Sequence, residues 1–306
     1  MKKILIQPLA KFLLILLVLV IPATLVEGNK EYDHLTYNNA SGFHTADAIK
    51  KLLNYNVSAS AVCARSAELA KTAADKAVAM DKAIKMAAYA VKLAAYKEEC
   101  KTVMNSAVGL YERMELEDSG LSQKAFEYAW LGYHNLLKKG LLKKTDVLSI
   151  CDFSQSSSNQ RMYVIDVRKK KVLYRTFVAH GINSGEEYAN SFSNQPESCK
   201  SSLGFYVTRK TYVGSNGLSL RIDGVDKGFN DNANKRSIVI HGASYVSLRI
   251  LHKYGVMGTT FGCPAIPSEL SNEIIPLVKN GSCFFIYYPS KKYLSQSPVL
   301  NGFQAW

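Results

Sequence analysis

Ser237-Ile-Val-Ile-His-Gly-Ala-Ser-Tyr245, followed a little later by Gly258-Thr-Thr-Phe-Gly-Cys-Pro-Ala-Ile-Pro267, is the stretch on which the reading of this chain turns. Ser237–Ile240 is a short apolar run with β-branched residues, closed by His241-Gly242. That pattern predicts a buried strand that delivers a histidine to its exposed end. Cys263 lies between Gly262 and Pro264, which places it on a sharp turn. A thiol on a tight turn and an imidazole on a strand are the two parts a cysteine acyl-transfer site requires, because the imidazole takes the thiol proton and the thiolate attacks a carbonyl. The N–H groups of Phe261, Gly262 and Cys263 can aim at the oxygen of a tetrahedral intermediate, since Gly262 permits close backbone approach.

Outward from this stretch, strands are expected at Val147–Phe153, Met162–Val167, Val172–Ala179, Gly204–Thr211, Leu218–Ile222, Ser237–Ile240 and Cys283–Tyr288. Polar turns separate them, so a mostly antiparallel β-sandwich or barrel follows. Ser122–Lys139 reads as an amphipathic helix with Ser122 as N-cap and Gly140 past its end. Ser268–Lys279 reads as a short helix capped by Ser268, with Pro276 kinking or splitting it.

Several ordered motifs now point the same way. His241-Gly242 precedes the Gly-x-[Ser/Thr]-x-Gly-Cys run ending at Cys263, with D-F-S at Asp152–Ser154, V-A-H-G-I-N-S-G at Val178–Gly185 and F-S-N at Phe192–Asn194. S-S-L-G-F at Ser201–Phe205 and S-L-R-I-D-G-V-D-K-G-F-N-D-N-A at Ser219–Ala233 complete the set. Together they resemble the catalytic domain of the murein L,D-transpeptidases (YkuD type), in the subgroup whose motif ends G-C-P-A. The resemblance runs roughly from Val108 to Pro289. The commoner family pattern has a histidine before the Gly-Cys and Asn or Arg beyond it, where this chain has Phe261 and Pro264-Ala265.

The resemblance implies a mainly β fold of the L,D-transpeptidase sandwich or barrel type, carrying an N-terminal Ala-rich α-helical segment outside the matching region. It implies Cys263 as nucleophile and His241 as base, the ring oriented by a backbone carbonyl near Gly242 in place of an acidic third member. It also implies peptidoglycan stem peptides as substrate, with an amine acceptor and 3→3 cross-links as product. His180, Tyr212, Arg221, Asn230, Asn232, Ser244 and Thr260 are weaker candidates for contacting the donor peptide, Asp223 and Asp231 lying in the same run. Asn and Asp equally hold turns. No metal or organic cofactor is required. His180, His241 and Cys263 are zinc-ligand types without zinc-site spacing, and no G-x-S-x-G serine motif occurs. Two alternatives stand beside the transpeptidase: an L,D-carboxypeptidase discharging the same thioester with water, and a non-catalytic envelope-binding protein whose cysteines are paired. For Cys263 the partners would be Cys151, Cys199 or Cys283.

Residues 1–28 carry Lys2, Lys3 and Lys11, the apolar run Phe12–Ile21, then Pro22, Ala23 and Thr24. This predicts a secretory signal, and with it a periplasmic or cell-envelope location. The run is short of the roughly 20 residues a membrane span needs, so membrane contact is expected only through this segment. The formal charge is +13, and roughly +11 without the signal, which suits an acidic polymer such as the cell wall. No nucleic-acid motif accompanies it.

Residues 29–107 read as a linker, with His34 and His44 as ordinary surface histidines, and then an Ala-rich helix without Gly or Pro from His44 to Ala107. Its stripe (Val62, Leu69, Ala73, Ala77, Met80, Ile84, Ala87, Val91, Ala94) buries little area, so a protein partner or self-association is expected. Cys63 and Cys100 would lie about 55 Å apart on one straight helix, too far to bond. The segment fits either one long helix of about 50 residues or two helices folded back near Asp81. Export favours a Cys63–Cys100 disulfide and with it the hairpin, a disulfide between two chains being the alternative. The catalytic domain is then expected over 108–290 and a C-terminal tail over 291–306.

Overall fold

The structure, a computed structural model, describes residues 59–302. The expected signal, the linker, His34 and His44 lie outside the described residues, as does the side chain of Cys63. The chain divides into two compact units, Met1–Met80 and Asp81–Trp306.

The described part of the first unit is entirely helical, the beginning of α1 (Ala59–Arg113). This helix is continuous over 55 residues, so the hairpin expected near Asp81 does not form. Nothing in the sequence there breaks a helix, since alanine and lysine favour it and the breakers Gly and Pro are missing. The possibility of a Cys63–Cys100 bridge was therefore a poor guide to chain reversal. Leu69 and Val78 of the stripe region are exposed in the first unit, as are Ile84, Met86 and Val91 in the second. The helix joins a core only in its last turns, where Ala107, Leu110 and Tyr111 are buried.

The second unit is built on α2 (Gln123–Lys138) and one eight-stranded sheet. The Ser122 hydroxyl accepts the Ala125 N–H at 3.3 Å, the N-cap its sequence predicts. Phe126, Ala129, Tyr133 and Leu136 form the buried face of α2. The strands are β1 (Val147–Asp152), β2 (Met162–Asp166), β3 (Lys171–Thr176), β4 (Gly204–Gly214), β5 (Gly217–Gly224), β6 (Val239–Ala243), β7 (Ala265–Pro267) and β8 (Cys283–Tyr287). Their spatial order is β3-β2-β1-β8-β4-β5-β6-β7. The fold is thus mainly β with an N-terminal helical segment, as expected, and the sheet is mixed. Pairs β1/β8 and β6/β7 run parallel while the rest run antiparallel. The hairpin β2/β3 was readable from its short basic turn, and β4 and β5 as separate strands; the parallel pairs join distant segments and leave no local signal.

Helix α3 (Leu248–Tyr254) follows β6, and α4 (Ser268–Val278) follows β7. Pro267, not Ser268, occupies the N-cap of α4, and Pro276 sits inside it without splitting it. The segment read as a tail contains α5 (Lys291–Gln296) and α6 (Pro298–Asn301). Both are tied to the core by Asp226, which is fully buried. Its carboxylate accepts from the Phe205 and Val299 amides at 2.9 and 3.1 Å. The Tyr293 and Ser297 hydroxyls add bonds of 2.9 and 2.5 Å. Helices this short carry too few residues for a readable period.

Candidate active site

Strands β6 and β7 carry the two groups singled out in the sequence. Parallel pairing sets His241 opposite Ala265, two residues beyond Cys263. Cys263 is a free, half-buried thiol; the other described cysteines are free too, Cys100 and Cys199 half-buried and Cys151 and Cys283 fully buried. Its Sγ lies 3.5 Å from the Val239 N–H, which donates to it, and 3.7 Å from the Ser237 carbonyl. The sulfur therefore rests over the start of β6, on the strand that carries His241.

His241 is 4 % exposed and lies within β6, not at its exposed end as expected. The strand continues through Gly242 and Ala243 because α4 covers it there. An added Cβ at Gly242 would stand 2.9 Å from the Ser271 side chain and 3.1 Å from the Ser268 backbone. The ring Nδ1 lies 3.0 Å from the Gly242 carbonyl. A carbonyl only accepts, so Nδ1 carries the proton and Nε2 is left with its lone pair. Among the described residues nothing bonds Nε2, and the sulfur is not hydrogen-bonded to it in this state.

The turn before the thiol is held by Thr260, whose hydroxyl accepts the Gly262 N–H at 2.9 Å and donates to the Cys263 carbonyl at 2.8 Å. Gly262 has φ +120, and an added Cβ would stand 2.7 Å from the Lys200 carbonyl. Of the three amides expected to face an oxyanion, that of Gly262 is thus engaged. Those of Phe261 and Cys263 have no acceptor among the described residues. The Phe261 ring itself is 78 % exposed beside the thiol, an apolar surface at the lip of the site. Burial pushes the Cys263 thiol above the ordinary cysteine range, against the Val239 N–H and the Arg236 charge, which pull it down.

Register brings further residues to the same face. Tyr212 pairs with Ser219, and Ser219 pairs with His241, so the three form one row across β4, β5 and β6. Arg221 is two residues from Ser219, hence on the same face, and its guanidinium lies over the Tyr212 ring at 4.7 Å. No carboxylate among the described residues pairs with Arg221.

The comparisons with known proteins bear on what this site is. The sequence model of the L,D-transpeptidase catalytic domain matches residues 117–287, more than half of the chain. The chain belongs to the L,D-transpeptidase catalytic domain family. An L,D-transpeptidase from Mycobacterium smegmatis is similar at 12 % identity and TM-score 0.30, over 47 % of this chain and 59 % of that one. One from Xylanimonas cellulosilytica gives 14 % identity and TM-score 0.28, over 50 % and 68 %. The helical cell shape determining protein of Campylobacter jejuni gives 16 % and 0.30, over 56 % and 62 %. This chain thus spans under two thirds of the mycobacterial chain's length. No curated protein matches the sequence.

Within this L,D-transpeptidase domain, several weaker candidates hold structure. Asn230 is fully buried, accepting the Asp226 N–H and donating to the Phe205 carbonyl, both at 2.9 Å. Asn232 bonds the backbone and side chain of Asn194, and Asp231 bonds the Asn194 amide. Asp223 pairs with Arg209 at 2.6 Å. Ser244 is exposed just past β6. His180 is 1 % exposed with both nitrogens engaged: Nδ1 lies 2.7 Å from Arg161 and Nε2 3.0 Å from the Gly185 carbonyl. Arginine only donates, so Nδ1 accepts and Nε2 carries the proton. Burial, and then the Arg161 charge, push this imidazole down to about 4.

Three residues were missed. Arg161 is fully buried and donates to the Val178 and Gln155 carbonyls. Standing after a run of Ser and Asn, it looks like any surface arginine in sequence. Tyr245, in the loop after β6, adds a phenol that burial, and then the neighbouring Cys263, push above its ordinary range. Arg236 directly precedes the decisive strand, where it read only as a bounding charge.

Proposed function

We propose that this protein is a peptidoglycan L,D-transpeptidase working through a Cys263 thioester. The observation that carries the reading is the free Cys263 thiol on a strained glycine turn, seated on the strand that holds His241, in a chain of this family. His241 Nε2 takes the Sγ proton, and the thiolate attacks the carbonyl between a diaminopimelate-type third residue and D-Ala of a stem tetrapeptide. The amides of Phe261 and Cys263 face the resulting oxyanion. The intermediate collapses, the C–N bond breaks, and D-Ala leaves with the proton returned from the imidazolium. An amine of a neighbouring stem then attacks the thioester, loses its proton to His241 and releases the thiol, leaving a 3→3 cross-link.

Arg221 stacked on Tyr212 offers an unpaired cation to the carboxylates of the stem, on the face that carries His241. Export to the periplasm or cell envelope fits this substrate, and the excess of lysine and arginine draws the protein to an acidic wall. Among the described residues no helix is long and apolar enough to cross a membrane. Self-association or partner binding through the exposed faces of α1 belongs to the same reading.

Purified protein incubated with disaccharide-tetrapeptides should release D-Ala and form cross-linked dimers, and Cys263→Ala should form none. Tripeptide without dimers would make it the L,D-carboxypeptidase instead. Cross-linking that survives Cys263→Ala would remove the mechanism.

A further inference from the structure

Arg236 is a half-buried arginine, and among the described residues no carboxylate pairs with it. One guanidinium nitrogen donates to the Ser193 carbonyl at 2.8 Å and to the Ser202 hydroxyl. The other donates to the Lys200 carbonyl at 2.6 Å and the Ser198 hydroxyl at 3.2 Å. The fork therefore clamps the 193–202 loop, and every one of these partners is neutral, so the charge itself is left uncompensated.

That charge stands at the thiol. The second nitrogen is 3.2 Å from where a Cβ of residue 262 would be, against the residue that precedes the nucleophile. In return, Cys263 Sγ reaches the carbonyl of Ser237, the residue that follows Arg236. Ser237 holds φ +54, unusual for a residue with a side chain, and so presents that carbonyl to the sulfur. The two segments thus cross, each one's functional group lying on the other's backbone. Other titratable groups at this crossing are His241 on the strand beneath the sulfur, Tyr245 in the loop beyond, Tyr206 and Cys199 around the guanidinium, and Lys200 of the clamped loop, whose ammonium bonds the Ser191 hydroxyl.

We infer that Arg236 is a positioning residue that presses the 193–202 loop onto the Gly262 turn and supplies the positive charge stabilising the Cys263 thiolate. This rests on the thiolate mechanism above and adds a cation to it, which matters because His241 becomes an imidazolium only after the proton has moved. Burial holds the guanidinium below its ordinary range, while the Tyr206 phenol and then the Cys263 and Cys199 thiols oppose that shift.

The test reads the sulfur directly and needs no turnover. The rate of iodoacetamide alkylation of Cys263, located by peptide mass, is followed against pH in the full chain. Arg236→Gln keeps an amide for the Lys200 carbonyl and removes the charge; its midpoint should rise by about one pH unit, with alkylation below the midpoint about ten-fold slower. Arg236→Lys keeps the charge and should stay near wild type. An unmoved midpoint in a folded Gln variant overturns the inference, as does a Lys variant displaced as far as Gln, since then the clamp alone sets the thiol. If the Gln variant does not fold, the wild-type chain decides: in high salt, which screens distant charges, iodoacetate should gain on iodoacetamide relative to a cysteine peptide. A ratio no higher than the peptide's overturns the inference. Because alkylation is independent of acyl transfer, loss of the thiolate mechanism itself would show separately, as cross-linking that survives Cys263→Ala.

Discussion

At the scale of single residues, His180, a candidate for donor-peptide contact in the sequence, has both ring nitrogens engaged within the fold. Its nitrogens are spent on Arg161 and Gly185, and the backbone around it is laced to the turn that carries Cys263. The His180 carbonyl accepts the Thr260 N–H at 2.9 Å, the Thr260 carbonyl accepts the Ile182 N–H at 2.7 Å, and Ala179 donates to Ala265 at 2.8 Å. The Arg161–His180 pair thereby holds the loop that flanks Cys263 on both sides. A histidine whose folded pKa is depressed binds its proton more weakly than the unfolded chain does. Its stability contribution is therefore present above the unfolded value of 6.5 and is lost as pH falls towards about 4. Wild type should lose on the order of 3 kcal/mol across this window from His180 alone. His180→Gln, which does not titrate, should show a visibly shallower loss in urea unfolding between the two pH values. Parallel curves for the two proteins would contradict the assignment.

At the scale of elements, the site is the seam between β6 and β7, and its shape depends on α4 lying against Gly242. That residue's φ is ordinary, so its need for glycine is one of space alone. Gly242→Ala should push α4 off the strand, destabilise the domain by about 1–3 kcal/mol and lower cross-linking further by turning His241, whose ring is set by the Gly242 carbonyl. Denaturant midpoint and turnover measured together check this; an unchanged midpoint would mean that the packing is slack. The sequence showed strand β6 and its histidine through the apolar run before His241. It did not show that the strand outlasts the glycine, because what extends it is α4, whose contact with Gly242 is non-local. The register that aligns Tyr212, Ser219 and His241 was likewise invisible, since cross-strand pairing has no trace along the chain. Ser122 and Gly140, by contrast, were legible, since helix ends are decided by the residues at them.

At the scale of the whole molecule, one carboxylate closes the second unit. Asp226 gathers four donors from β4, α5, α6 and the link between those two helices, which is why α5 and α6 pack onto the second unit. Most of the long α1 was readable from the lack of Gly and Pro before Gly109, while its course as a single helix was obscured by giving two cysteines more weight than helix propensity. The thiol, the histidine and their glycines were legible because chemistry constrains residue type and spacing. Arg161 and Arg236 were not, because an arginine that bonds backbone carbonyls leaves no motif. All of it converges on one sulfur. The most direct measurement is the intact mass of the full chain after incubation with a carbapenem. The account predicts one stable adduct, mapped to the peptide containing Cys263 and missing in Cys263→Ala; an adduct on another residue, or one that persists in that variant, would contradict it.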